Sequence, residues 1–224
     1  MPATIEQFDA IGWPSAAARL IQCAVDRIVT LQGHCNVLLT GGRSAENLYT
    51  AWSASPGFLN IEGVRFYFGD ERCVPPDHQD SNFGLVMRTL FGHGIPAGAS
   101  LHRMEAELSD HELAAKRYEA VLPHRLDVVL LGVGEDGHIA SLFPDSPHLS
   151  ENVRRIVPVT APKLPYERLT ITPVVITGAR TIFVLAPGKA KAELLSSIIG
   201  EDGSLSATPA RLVIGATWLL DTVL

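Results

Sequence analysis

Residues 127–144, DVVLLGVGEDGHIASLFP, decide the fold of this chain. The first part, Asp127–Leu131, is a short apolar run that ends at a glycine, a pattern typical of a strand buried on both faces. The glycine-rich part that follows places Asp136 and His138 just beyond the end of that strand. Similar short apolar runs, separated by segments with helical spacing, extend toward both ends of the chain.

These patterns predict alternating strands and helices. Further strands are predicted at Asn36–Thr40, Val64–Phe68, Ile156–Val159, Arg168–Thr172, Thr181–Ala186 and Arg211–Ile214. Helices are predicted at Pro14–Leu31, from a cap at Ser44 through Trp52, at Ser81–Phe91, from a cap at Ser109 through Leu122, at Lys189–Ile199 and at Ala216–Val223. The alternation predicts an α/β fold with three layers, αβα, around a mainly parallel, Rossmann-like sheet. At about 150 residues per domain, we expect residues 1–224 to form one domain.

The composition narrows the classes of function. Of the 224 residues, 46% are hydrophobic and the net charge is −6, so we expect a globular protein without a nucleic-acid partner, which would require a basic surface. The cysteines are too few and too widely spaced for a disulfide framework or a structural zinc site. The N-terminus lacks a signal-peptide pattern, and the longest uncharged apolar stretch, 169–179, is too short to span a bilayer. We therefore expect a soluble, cytoplasmic protein with no membrane partner, either a monomer or a homodimer.

Residues 132–137, GVGEDG, form a literal GxGxxG after a strand, the pattern of a dinucleotide-binding turn. That motif needs a full helix after its third glycine, but Pro144 and Pro147 limit any helix here to about two turns. Residues 154 and 155 are arginines where an acidic ribose ligand is expected. Because arginines suit a 2′-phosphate, an NADP-dependent oxidoreductase stays open as an alternative.

A second interpretation rests on the side chains of the same turn. The glycines allow a tightly folded backbone with exposed amides, on which Asp136 and His138 stand two residues apart. Histidine is the side chain most readily poised as a general base near neutral pH. The competing structural interpretation is a loop histidine that caps a helix or faces solvent.

Other loops carry groups suited to an anion. Residues 40–44 follow a strand and open a helix, so glycine amides, a hydroxyl and the positive helix end form an anion cradle. Asp70 and Arg72 follow the second strand, where a solvated ion-pair cluster is the competing interpretation. Lys163 and Arg168 flank a loop fixed by two prolines. Because ligands bind beyond the carboxyl ends of parallel strands, we expect these loops and the 132–138 turn to converge.

Lys189 and Lys191 open a predicted helix. Cations are mildly unfavourable at that end of a helix, so a ligand role for Lys189 is one interpretation. Two solvated lysines are the favoured alternative.

Several blocks, in order along most of the chain, resemble the 6-phosphogluconolactonase family in the bacterial form related to glucosamine-6-phosphate deaminases. They are Thr40–Tyr49 (TGGRSAENLY), Phe68–Asn82 (FGDERCVPPDHQDSN), Asp127–Pro144, Ala161–Thr172 (APKLPYERLTIT) and Gly188–Leu194 (GKAKAEL). The SLFP at 141–144 looks like the lactonases, whereas the deaminases typically carry Asn-Glu-Pro there. The family usually has SGGSTP where this chain has TGGRSA, so Arg43 replaces a small hydroxyl residue.

The resemblance implies a NagB/RpiA/CoA-transferase-like fold and hydrolysis of 6-phospho-D-glucono-1,5-lactone to 6-phosphogluconate in the oxidative pentose phosphate pathway. It implies His138 as the general base, supported by Asp136, with backbone amides of 132–137 or Arg72 as donors to the oxyanion. Neither a metal nor a cofactor is implied. Contacts to the sugar phosphate are expected from Gly41, Gly42, Arg43, Ser44, Asp70, Arg72, Gly137, Lys163 and Arg168.

Two alternatives within this fold stay open. One is a glucosamine-6-phosphate deaminase or isomerase, and the other is a non-catalytic sugar-phosphate sensor. Regulators of that kind normally carry a DNA-binding segment, for which we expect the residues before Trp13 to leave no room.

Overall fold

The computed structural model describes residues 2–200 and 202–222, which form an α/β fold. Its strands are β1 (Thr4–Gln7), β2 (Cys35–Leu39), β3 (Glu62–Phe68), β4 (Asp70–Arg72), β5 (Gly98–Leu101), β6 (Val128–Gly132), β7 (Ile156–Thr160), β8 (Glu167–Ile171), β9 (Thr181–Leu185) and β10 (Thr217–Leu220). Its α-helices are α1 (Trp13–Gln32), α2 (Arg43–Ser53), α3 (Asn82–Thr89), α4 (His111–Val121), α5 (Pro173–Thr177) and α6 (Lys189–Gly200).

The main sheet has seven strands in the order β1-β10-β9-β6-β2-β3-β5, and all of its pairs are parallel. From β2 the chain runs outward through β3 to β5, then returns to β6 and runs outward in the other direction through β9 to β10. The strand order therefore reverses between β2 and β6. In open parallel sheets, a ligand crevice forms at such a point, beyond the carboxyl ends of the strands.

The central strands are buried on both faces. Every residue of β2 and the first four of β6 are buried, which explains why these strands appear in the sequence as continuous apolar runs. Helices flank the sheet, so the expected three-layer αβα class is confirmed.

The sequence prediction was wrong about the sheet to which β7 and β8 belong. They form a separate antiparallel sheet with β4, in the order β4-β8-β7. Only residues 161–166 join β7 to β8, whereas a parallel crossover needs a dozen or more residues. The loop after Val159 is thus the tip of a hairpin and is not a connection within the parallel sheet.

The prediction was also wrong at the C-terminus. The predicted strand Arg211–Ile214 overlaps the end of a 3₁₀ helix, Pro209–Val213, which begins at a proline, a residue favoured in the first turn of a helix. The predicted helix Ala216–Val223 contains the strand β10 instead, and Val223 lies outside the described residues. Four residues are too few to reveal an alternation of apolar and polar side chains. The strand lies between β1 and β9, and its three apolar side chains are buried.

Two predicted helix caps are shifted. Asp110, not Ser109, caps α4 by accepting a hydrogen bond from the backbone N–H of Leu113. Gly42, not Ser44, is the N-cap of α2, and Ser44 lies in the first turn of that helix. The short elements β1, β4, β5 and α5 were not predicted. The three strands have at most four residues each, and α5 has little more than one helical turn.

Across residues 2–200 and 202–222, helices long and apolar enough to cross a membrane are absent.

Candidate active site

A cleft of about 200 Å³ opens at the point where the strand order reverses. The loop after β2 forms one wall and the loop after β6 forms the other, and the backbone N–H of Gly132 donates to Thr40 Oγ1 between them at 3.2 Å. The sequence-predicted residues that line the cleft are Gly41, Gly42, Arg43, Ser44, Asp70, Arg72, His138 and Arg168. Four separate segments of the chain therefore converge, as the sequence indicates. Asp70 and Arg72 stand on the short strand β4, however, and not on the loop that was predicted there.

The start of α2 forms a wall of the cleft whose backbone is suited to an anion. Gly42 has φ 92°, in the left-handed region that favours glycine, and this turn directs the chain from β2 into the helix. Its carbonyl accepts the first helical hydrogen bond, from the N–H of Glu46 at 3.0 Å. The N–H groups of the first turn, Arg43–Ala45, precede any intrahelical partner and carry the positive end of the helix dipole.

The 132–138 turn holds a histidine–carboxylate pair. The Nδ1 atom of His138 is hydrogen-bonded to Asp136 Oδ1, which also accepts from the backbone N–H of His138 at 3.2 Å. Backbone bonds close the turn: Gly134 N–H donates to the His138 carbonyl, and Gly137 N–H donates to the Gly134 carbonyl, each at 2.9 Å. Because the carboxylate requires a proton on Nδ1, the Nε2 atom of neutral His138 keeps its lone pair.

Burial and charge set the protonation of this pair. Burial lowers the pKa of His138, while Asp136 opposes that shift and Lys163 adds to it. Partial burial raises the pKa of Asp136. The hydrogen bonds from His138 and the charge of that residue lower the pKa by more, so it lies below its ordinary value. At neutral pH the pair is therefore a neutral imidazole next to a carboxylate, the state of a general base.

Arg168 enters the cleft from the antiparallel sheet. It is 4% exposed, and its guanidinium donates to the carbonyl of Pro165 at 2.9 Å and to Ser141 Oγ at 3.4 Å. Ser141 in turn donates to Asp70 Oδ2 at 2.6 Å. Burial lowers the pKa of Arg168, but an arginine stays protonated. A hydroxyl thus separates the buried cation from the nearest anion, which leaves its charge available to a ligand.

Lys191 and Asn82 line the cleft but are absent from the sequence-predicted site. Lys191 lies in the first turn of α6, is half-buried, and donates to Ser44 Oγ at 2.8 Å. Burial lowers its pKa. Lys189, the lysine for which a ligand role was considered, is exposed and pairs with Glu193 at 3.5 Å. Asn82, at the start of α3, donates to Asp70 Oδ1 at 3.0 Å. The signal for Asn82 was the Ser-Asn pair that ends the 68–82 block. For the two lysines, helical spacing alone does not show which of them faces the cleft.

Three predicted site residues lie beside the cleft without lining it. Asp136 stands behind His138, and the ammonium of Lys163 lies 4.0 Å from Asp136 Oδ2. Gly137 is buried, and its carbonyl accepts from the backbone N–H of Ala210 at 2.8 Å.

The dinucleotide alternative finds little support in the geometry. The first helical turn after Gly137 is the 3₁₀ segment Pro147–Ser150, so a helix N-terminus does not face the glycines. Arg154 pairs with Glu151, and Arg155 donates to backbone carbonyls that include that of Leu122. In the part of the chain that the structure describes, groups of three or more side chains that could hold a metal ion are absent.

Comparisons with known proteins agree with this arrangement. The sequence family described as glucosamine-6-phosphate isomerases/6-phosphogluconolactonase matches residues 12–220. The 6-phosphogluconolactonase of Mycobacterium tuberculosis is 34% identical, over 99% of this chain and 96% of that protein. The structure of 6-phosphogluconolactonase from Trypanosoma brucei has a TM-score of 0.85 at 27% identity, covering 98% of this chain and 96% of that chain.

A monomeric glucosamine-6-phosphate deaminase of the NagB superfamily has a TM-score of 0.82 at 20% identity, covering 97% of this chain and 96% of that chain. That likeness is one of fold alone, and it agrees with the expected NagB-like architecture. On the match over residues 12–220 and the identity to the mycobacterial protein, the chain belongs to the glucosamine-6-phosphate isomerase/6-phosphogluconolactonase family.

Proposed function

We propose that this enzyme hydrolyses 6-phospho-D-glucono-1,5-lactone to 6-phosphogluconate, the second step of the oxidative pentose phosphate pathway, with His138 as the general base. One observation carries the proposal: a neutral histidine, oriented by a carboxylate, shares a small cleft with a helix N-terminus, the buried Arg168 and the half-buried Lys191. The names of the relatives support this substrate.

The reaction needs a base, a donor to the oxyanion and an acid for the leaving group. Nε2 of His138 takes a proton from water as its oxygen attacks the lactone carbonyl, and Asp136 stabilises the resulting imidazolium. The tetrahedral intermediate then breaks the bond between C1 and the ring oxygen, which takes the proton back from His138. The carboxylic acid product ionises and releases one proton to solvent. The N–H groups of Gly132, Gly134 and Gly137 already donate within the protein. We therefore assign Arg72 and the backbone N–H of Val133, both of which line the cleft, as donors to the oxyanion.

We assign the phosphate to the opposite wall of the cleft. Gly42, Arg43 and Ser44 supply the helix N-terminus, and Lys191 supplies a cation already directed at that turn. Arg168 also lines the cleft, with its charge free of direct ion pairs to any described carboxylate. Asp70 is held by Asn82 and Ser141, and we assign it to sugar hydroxyls or to the support of Arg168.

Lys163 belongs to a different part of the site in this proposal. Its ammonium neighbours Asp136, so we expect it to act mainly on the histidine–carboxylate pair and less on the phosphate.

The experiment is the decay of freshly generated lactone with and without the protein, followed by proton release against the spontaneous background. We expect strong acceleration by the wild type and a loss of 10²–10⁴-fold in kcat for His138→Gln. His102→Gln is the matched control, because His102 is also half-buried but stacks on Tyr67 at 4.8 Å. A His138→Gln variant with normal kcat would contradict the assignment.

The same preparation tests the alternatives. Release of ammonia from glucosamine 6-phosphate, without lactone hydrolysis, would favour the deaminase. Binding of sugar phosphates with no turnover of either substrate would favour the sensor.

A further inference from the structure

The ring of Phe143 stacks on the imidazole of His138. Their centroids are 4.5 Å apart and their planes are inclined by 29°, and Phe143 is only 5% exposed. The hydrogen bond to Asp136 restrains the imidazole at Nδ1, but a hydrogen bond tolerates a range of angles and so allows the ring to tilt. The stacked ring covers one face of the imidazole and so constrains the plane itself.

Two cations hold Phe143 in turn. The ammonium of Lys163 lies 5.3 Å from the centroid of its ring and the guanidinium carbon of Arg168 lies 5.6 Å from it, both within the range of cation–π attraction. Arg168 is itself anchored to the carbonyl of Pro165. The stack therefore connects His138, on the 132–138 turn, to the hairpin between β7 and β8.

We propose that Phe143 is a positioning residue for the hydrolysis: it holds the imidazole plane of His138 so that Nε2 stays directed into the cleft. This inference rests on the proposed role of His138. Phe143 also keeps water from one face of the imidazole, which agrees with burial as the main cause of the lowered pKa of His138. The charged groups that act on the same imidazole are Asp136 and Asp70, which raise its pKa, and Lys163, which lowers it.

A purely space-filling role is the rival explanation. Phe143 also borders a second cavity, of about 490 Å³, between residues 144–148 and residues 159–162. If Phe143 only filled space, an aliphatic side chain of similar volume would serve equally well, and the imidazole would titrate as before.

The test uses the full chain with Phe143→Leu, Phe143→Met and Phe143→Tyr, measuring kcat and KM for the lactone and the NMR titration of His138. His138→Gln identifies the histidine signal. We expect Leu and Met to lower kcat about tenfold at nearly constant KM, and to raise the pKa of His138 toward its ordinary value. Tyrosine keeps an aromatic face and is expected to retain kcat within about threefold.

Phe83→Leu is the matched control, because Phe83 carries Arg103 at 5.7 Å from its ring centroid but does not line the cleft. If Phe143→Leu fails to fold, Phe143→Met, which nearly preserves the volume, decides the question. The proposal would be overturned if Phe143→Leu or Phe143→Met kept the wild-type kcat and the wild-type titration of His138. Equal losses of kcat in Phe143→Tyr and Phe143→Leu would also overturn it. The titration needs no substrate, so an unchanged pKa of His138 in Phe143→Leu and Phe143→Met counts against the positioning role of Phe143. A wild-type protein without lactonase activity counts against the proposed function instead.

Discussion

The backbone of Gly134 lies directly against the imidazole of His138. A Cβ atom on Gly134 would overlap Nδ1 and Cε1 of that ring, and also Oδ1 of Asp136. The second glycine of the turn is therefore explained by the close approach of two side chains, with no need for a bound pyrophosphate. The same relationship gives a direct test of the pair.

We expect Gly134→Ala to lower kcat about 10²-fold, because the added methyl group must displace the imidazole from its bond to Asp136. The backbone at this position does not have a positive φ, so alanine meets no backbone strain there. Kinetics and the thermal midpoint would be measured together. Gly57→Ala is the control, since a Cβ at Gly57 meets nothing within 4 Å. Unchanged kcat in Gly134→Ala would show that the pair is not needed.

The pH dependence of kcat should report the pKa of His138. A base works only when deprotonated, so activity falls as the pH drops through that pKa. Because burial lowers the pKa below the ordinary value of about 6.5, kcat should hold down to lower pH than a solvated histidine would allow. Using kcat at saturating substrate avoids the titration of the free phosphate. A midpoint above 6.5 would contradict this assignment.

For Asp136→Asn we expect a loss of about 10²-fold or more in kcat, because the amide does not stabilise the imidazolium and favours the wrong tautomer. The carboxylate raises the pKa of His138, so its removal should move the acid midpoint of kcat further down. A midpoint that moves upward would show that Asp136 acts in another way. Asp145→Asn is a control in the loop that follows, because Asp145 contacts Ser206 and does not line the cleft.

Lys191→Met should raise KM for the phosphorylated lactone about tenfold or more and leave kcat within about threefold, as a charge-assisted hydrogen bond is lost. Lys189→Met is the matched control two residues away, exposed and paired with Glu193. Steady-state kinetics of the two variants separate the roles. If Lys191→Met and Lys189→Met had the same KM, the phosphate would have to bind elsewhere in the cleft.

The corrected cap of α4 has a consequence for stability. Asp110→Ala should lower the free energy of unfolding by about 1 kcal/mol, since the N–H of Leu113 loses its acceptor. Ser109→Ala should change it by less than about 0.5 kcal/mol. Urea denaturation measures both changes. A larger loss of unfolding free energy in Ser109→Ala than in Asp110→Ala would support Ser109 as the cap, as predicted from the sequence.

The central part of the fold could be predicted because its strands are continuous apolar runs, as in β2 and β6. The strands β1 and β10 could not be predicted, because each has only four residues and depends on pairing with strands that are distant in sequence. The antiparallel sheet was missed because apolar runs do not reveal strand direction, although the short 161–166 connection does.

The site was predictable where two groups are close in sequence, as for Asp136 and His138. Lys191 and the stack of Phe143 on His138 depend on packing between distant segments. The expected family, fold class and enzyme class, a 6-phosphogluconolactonase, are confirmed by the comparisons. The role of His138 as the base stays a prediction.

In the proposed mechanism, the reversal of strand order between β2 and β6 also bears on the length of substrate that fits the cleft. The proposed phosphate wall follows β2, the proposed base follows β6, and these strands are direct neighbours in the sheet. Because hydrogen-bonded strands keep a spacing of about 4.8 Å, the points from which the two loops start are held at a fixed separation. On this proposal, a change in the accepted length of the sugar would be engineered in the loops that open α2 and α6, while the turn that carries His138 stays unchanged.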